Sequence, residues 1–227
     1  MTDTAYGSFH SNSSDGDIND LQFRIRAMLM NVNTSMPVVV TAIKASGLAP
    51  VGMLTCKIAV MQLTGSGETV ENVTLSNVPY LRYQGGENAV IIDPEVGDIG
   101  IVAFCQRDIS GVKNARVESV PGSLRILSTS DAVYVGGILN KAPKQYVWIH
   151  GGGINVYSPT WITLEAPSVT IKAPDVTIEG AVSQSGGDVS VAQKMTVEGG
   201  ATIGNIDFNG HVHGGIQPGG GDTEPPK

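Results

Sequence analysis

The stretch ITLEAPSVTIKAPDVTIEG, residues 162–180, repeats itself every seven residues: ITLEA, VTIKA and VTIEG align, and APSVTIK matches APDVTIE. MTVEG (195–199) is a later copy and INVYS (154–158) a looser one. In each copy of the run the first and third residues are apolar: Ile162 and Leu164, Val169 and Ile171, Val176 and Ile178. In an extended chain those two point to one face, while the threonine between them and the charged residue after them point to the other. Each copy therefore carries one dry face two side chains long, too narrow to form a core alone, and Ala-Pro then turns the chain. Repetition on this scale predicts stacked β architecture. Either one chain winds three such faces per coil, or three chains each supply one. Residues 154–205 are too few for many single-chain coils, so the pattern favours an intertwined trimeric prism.

Downstream of the repeats lies NGHVHGG, residues 209–215, which holds two of the four histidines. In a strand His211 and His213 point to one side and Val212 to the other. Two ligands cannot close a metal site, and Asp207 is the nearest further candidate. Around a three-fold axis, however, three such arms supply six nitrogens in two layers. That octahedron suits Fe(II), Ni(II) or Co(II) better than tetrahedral zinc. Gly210, Gly214 and Gly215 would let three backbones crowd the axis. WIHGGGI (148–154) resembles the same stretch, but Trp148 replaces the first histidine, so His150 lacks an i−2 partner and reads as a turn or layer residue.

Upstream of the repeats the chain reads differently. Residues 1–16 are rich in Ser, Asn, Asp and Gly and read as a flexible tail. A short helix is expected next, capped by Asp17 or Asn19, with Ile18, Leu21, Ile25, Met28 and Val32 at helical spacing. From Met36 the period becomes that of strands. VVVTAIKAS, VGMLTCKIAVMQL, VENVTLSNVPYLRY, NAVIIDP and GDIGIVAFCQRDI are β-type runs separated by turns. Five strands in so short a segment fit a small closed barrel. RVESVPGSLRILSTSDAVYVGGI gives two more candidate strands. Cys56 and Cys105 sit in apolar runs and read as reduced core residues.

Composition sets bounds. The 227 residues are 41% hydrophobic but only 5% aromatic, with 29 glycines, which favours short strands over long helices. The net charge of −7 and the lack of a Lys/Arg run leave no footprint for nucleic acid or an anionic membrane. Neither a secretory signal nor a membrane span is visible, so synthesis in the cytoplasm as a soluble protein is expected.

These features together resemble a known family, the central spike or membrane-piercing proteins at the baseplate tip of contractile-tailed bacteriophages. DPEVGDIGIVAFCQRDIS (93–110) carries the likeness in the N-terminal half, and the repeats with NGHVHGG carry it in the C-terminal half. The resemblance implies an all-β homotrimer. Residues 17–120 would form a short helix and an OB-fold barrel attached to the tail hub. Residues 121–205 would form an intertwined triple-stranded β-helix, and 206–227 an apex with the remaining tail. One iron ion per trimer would be held by His211 and His213 of each chain. The spike would sit at the tip of the virion's tail, with the host outer membrane as its mechanical target and no nucleic-acid partner.

The alternative is a β-helical tailspike that binds or degrades glycans. Its paired carboxylates could come only from Glu165, Asp175 and Glu179, each at a repeat edge where a solvated charge is expected. No G-x-S-x-G elbow or P-loop is present, and a metal saturated by six imidazoles has no open position. No enzyme activity is expected. Tyr80, Arg82 and Tyr83 are the remaining candidates for ligand binding and read as packing at the barrel rim or against the tail hub.

Overall fold

The structure, a computed structural model, describes residues 16–30, 32–64, 66–204, 206–207 and 210. They divide into two units, one ending at Thr163 and the other beginning at Leu164. The fold is mostly β, with few helices.

The first unit opens with α1 (Asp17–Met30), followed by β1 (Ser35–Ala45), β2 (Met53–Ile58), β3 (Gln62–Leu63), β4 (Thr69–Val70) and β5 (Thr74–Pro79). Next come β6 (Tyr83–Gly85), β7 (Asn88–Val90), β8 (Ile99–Phe104), α2 (Ser110–Ala115) and β9 (Ala132–Gly137), then a hairpin of β10 (Tyr146–His150) and β11 (Gly153–Tyr157). One antiparallel sheet runs β5-β2-β1-β8-β9. Its outer strands meet at a parallel bridge between Tyr80 and Tyr134, where Leu81 N–H donates to Tyr134 C=O at 2.8 Å.

Strand alternation builds the core inside this curl. Val38 and Val40 of β1, Leu54 and Cys56 of β2, and Val102 and Phe104 of β8 all point inward at period two. In β5 the inward residues are Leu75 and Val78, three apart. Leu54 faces Val78 and Cys56 faces Leu75, so Ser76 and Asn77 together oppose Thr55. This bulge puts Asn77 at φ 56°, a conformation asparagine tolerates better than most residues. Tyr80 and Tyr134 complete the core, each lying against a glycine. A Cβ on Gly52 would fall against the Tyr80 ring, and one on Gly100 would clash with the Tyr134 hydroxyl and ring edge and with the Gly136 carbonyl. Gly100→Ala is therefore expected to cost about 1–3 kcal/mol through overpacking, and Leu54→Ala about 2–5 kcal/mol through its cavity. Denaturant unfolding, followed by the far-UV circular dichroism of the sheet, measures both.

Several expectations change here. The run NAVIIDP supplies no strand to the large sheet. Asn88–Val90 pairs only with Tyr83–Gly85, and all six residues are exposed. The fifth strand is instead β9, so the domain boundary expected at residue 120 falls short of the sheet. Cys56 is a fully buried free thiol, whereas Cys105 is free but only half-buried. INVYS, expected as a loose repeat copy, lies mostly in β11 and pairs with β10.

The helix forms over the expected residues, held partly by an Arg24–Asp20 ion pair at 2.8 Å, but buries none of its side chains. Ile18, Leu21, Ile25 and Met28 are all exposed.

The repeat residues are not paired into strands. Between Pro159 and Ala201 no strand is assigned, and among the described residues no backbone hydrogen bond joins one copy to the next. A short antiparallel pair, β12 (Thr202–Ile203) with β13 (Ile206–Asp207), follows. The six apolar residues of the main repeat run from 55% exposed at Ile162 to 75% at Leu164.

Candidate functional site

His211 and His213 lie outside the described residues, as does the whole of 211–227; Gly210 is the described residue nearest to them. Among the described residues no group of three or more His, Cys, Asp or Glu side chains could hold a metal ion. A six-nitrogen centre assembled from three chains would not be visible in one. His150 lies in a strand, directly before the turn at 151–152. It ends β10, its Nδ1 accepts from Gly152 N–H at 3.1 Å, and its ring stacks on Trp148 at 4.1 Å. Glu165, Asp175 and Glu179 are all exposed, and none forms an ion pair among the described residues.

The rim residues singled out in VPYLRYQGG are largely engaged within the chain. Tyr80 donates its hydroxyl to Asp93 Oδ1, and Gly47 N–H donates to Asp93 Oδ2 at 2.7 Å. Arg82 donates from one Nη to Ala49 C=O at 2.6 Å and from the other to the Tyr80 hydroxyl at 3.1 Å. Its guanidinium also lies 5.2 Å from the Tyr80 ring centre. Burial raises the Tyr80 phenol pKa, and the Tyr80 hydrogen bond lowers that of Asp93. Tyr83, by contrast, stands 73% exposed. The cluster ties the 47–49 turn to the segment after β7.

A second cluster was invisible to sequence reasoning. Asp131 is fully buried and Asp108 nearly so. Arg125 bridges them, with Nε donating to Asp131 Oδ2 at 2.6 Å and one Nη donating to Asp108 Oδ1 at 2.7 Å and Asp131 Oδ1 at 2.9 Å. Ser110 N–H and the Ser123 hydroxyl donate to Asp108, each at 2.8 Å, and Ile109 N–H donates to Asp131 at 3.0 Å. The buried carboxylates are thus paired and hydrogen-bonded, as their desolvation requires. They anchor the long β8–β9 connection. Sequence offered only weak local hints, an Asp two residues before Ser110 and an Arg in SLRIL.

The Ser110 hydrogen bonds, led by its side chain, hold Asp108 down to about 2, and the Arg125 pairing lowers Asp131. Because the folded-state pKa values are depressed, this stabilisation is complete above the unfolded carboxylate value near 4. It is lost as pH falls from there toward about 2. The sheet is expected to melt progressively earlier across that window, as thermal scans by circular dichroism between pH 5 and pH 2 would record.

No protein-family model matches the chain, and no curated protein matches it.

Proposed function

We propose that the chain is a structural virion protein, the trimeric central spike of a contractile phage tail, which pierces the host outer membrane when the sheath contracts. One observation carries this reading: every apolar residue of the main repeat is exposed in the single chain, and the copies make no backbone hydrogen bonds to one another. Backbone without strand partners that carries an exposed apolar stripe needs partners for both its hydrogen bonds and its side chains. Two further copies of the same stripe, wrapped as a triple-stranded β-helix, supply both and leave no free strand edge.

The first unit fits the collar of such a spike. The sheet order β5-β2-β1-β8-β9, with its parallel contact between the end of β5 and β9, supports reading this unit as an OB-type barrel. The exposed apolar face of α1 is available for packing against other copies or the tail hub. At the far end, His211 and His213 of three chains would hold one octahedral transition metal, read as iron, and pin the apex. The role is mechanical and needs no turnover.

Elemental analysis of purified protein is expected to find about one transition metal per three chains. The double variant His211→Ala, His213→Ala should lose it while the sheet stays folded. Metal should also leave as pH falls below the imidazole pKa of about 6.5, because only the neutral ring binds. A metal content clearly under one per three chains counts against the apex.

A further inference from the structure

Along α1 the apolar residues Ile18, Leu21, Ile25 and Met28 recur at alternating steps of three and four. Val32 carries the pattern just past the helix end, where its N–H donates to Leu29 C=O at 3.1 Å. That spacing is the seam of a coiled coil, narrower than the face a helix turns toward a globular core. All four charged residues of the helix, Asp17, Asp20, Arg24 and Arg26, fall off it. The seam stands open, from 47% exposed at Ile25 to 73% at Ile18, whereas Asn19, Phe23 and Ala27 on the opposite side are partly buried. A 14-residue helix is marginal in water by itself, so α1 needs a partner along this seam.

Its anchorage selects that partner. The Asn33 side chain donates to Leu127 C=O at 2.9 Å, and Phe104 N–H donates to Thr34 C=O at 3.0 Å. These bonds fix the chain just after the helix to the end of β8 and to the β8–β9 connection. Copies of the first unit arranged about one axis therefore send their helices out from equivalent points in the same direction. In a parallel coil each seam residue meets its own equivalents, so a single sequence supplies every side. We propose that α1 is one helix of a parallel coiled coil, its Ile18–Leu21–Ile25–Met28 seam packed against the same seam of the other copies of this chain. The number of copies rests on the trimer reading. β-Branched residues at 18, 25 and 32 with Leu and Met at 21 and 28 by themselves favour two helices, and the repeats bring the third. About two heptads are also too few to hold the copies together alone, so the coil follows the trimer and does not create it.

Cysteine cross-linking in the full chain tests this. Under mild oxidation Leu21→Cys, on the seam, should pass mostly into a disulfide-linked two-chain species on non-reducing gels. Arg26→Cys, exposed on the opposite side, should give at least about tenfold less, because side chains there stand too far apart to bridge. The unaltered protein, with Cys56 and Cys105 free, sets the background. Ile25→Asp should keep the three-chain mass, which the repeats hold, while amide exchange across residues 22–28 quickens at least about tenfold. Equal cross-linking at 21 and 26, or unchanged exchange in Ile25→Asp, would overturn the coil. A protein at three times the chain mass whose Leu21→Cys stays unlinked would overturn it too, leave the spike reading standing and give the seam to another protein. A single-chain mass would overturn the trimer and the coil together.

Discussion

Ile171→Asp is expected to abolish trimer formation, while Lys172→Asp, one residue along, leaves it intact. Ile171 belongs to the apolar stripe and is 71% exposed in the single chain. Burying an isoleucine is worth roughly 1.5–3 kcal/mol, and a trimer forfeits it three times over. The replacement also brings three carboxylates toward one dry axis, where each must be desolvated close to two like charges. Lys172 alternates to the opposite face, so its substitution touches only solvated surface. Size-exclusion chromatography with light scattering separates the outcomes. The Ile171 variant should run as monomer or aggregate at concentrations where wild type and the Lys172 variant run as trimer. If Ile171→Asp remained a trimer, the stripe would not be the interface.

Arg125→Met is expected to cause the largest loss of first-unit stability of any single substitution outside the hydrophobic core. It leaves Asp108 and Asp131 buried without their cation, and a buried charge stripped of its partner costs far more than the pair contributes when intact. Its pH dependence should also change sign at Asp131. In the wild type the Arg125 hydrogen bond is the leading influence holding that pKa down. Without it, burial and the neighbouring Asp108 push the pKa up against the remaining Ile109 N–H bond, and burial outweighs that bond. The folded variant then takes up a proton more readily than the unfolded chain, so mild acid should recover part of the lost stability where wild type only loses it. Paired urea titrations at pH 7 and pH 5 test this. Equal or greater destabilisation of the variant at pH 5 would mean that the carboxylates are not held as described.

What the sequence revealed and what it hid divides by range. Val38, Val40, Leu54, Cys56, Val102 and Phe104 announce themselves through period-two alternation, and each sits in the core. Gly97 takes a φ of 98°, as the turn before β8 requires, but Gly100 is needed for the close approach of Tyr134, which no local pattern reveals. NAVIIDP looks as strand-like as AVYVGG, and only pairing with β8 decides between them. The β8–β9 register shift leaves Val135 unmatched and exposed, which blurs the alternation that would have marked β9. INVYS matches the repeat by composition, yet the glycines at 151–153 fold it back on Tyr146–His150. The Asp108–Arg125–Asp131 cluster joins residues from two ends of a long connection, and such pairings leave no periodic trace. The apolar stripe was readable because a seven-residue repeat with one dry face makes its demand for partners in the sequence itself.

That demand is the central claim, and the mass of the full-length protein in solution tests it most directly. Sedimentation equilibrium at micromolar concentration should return three times the 23.6 kDa of the chain, without dissociation on dilution. A folded, stable species at the single-chain mass would contradict the account.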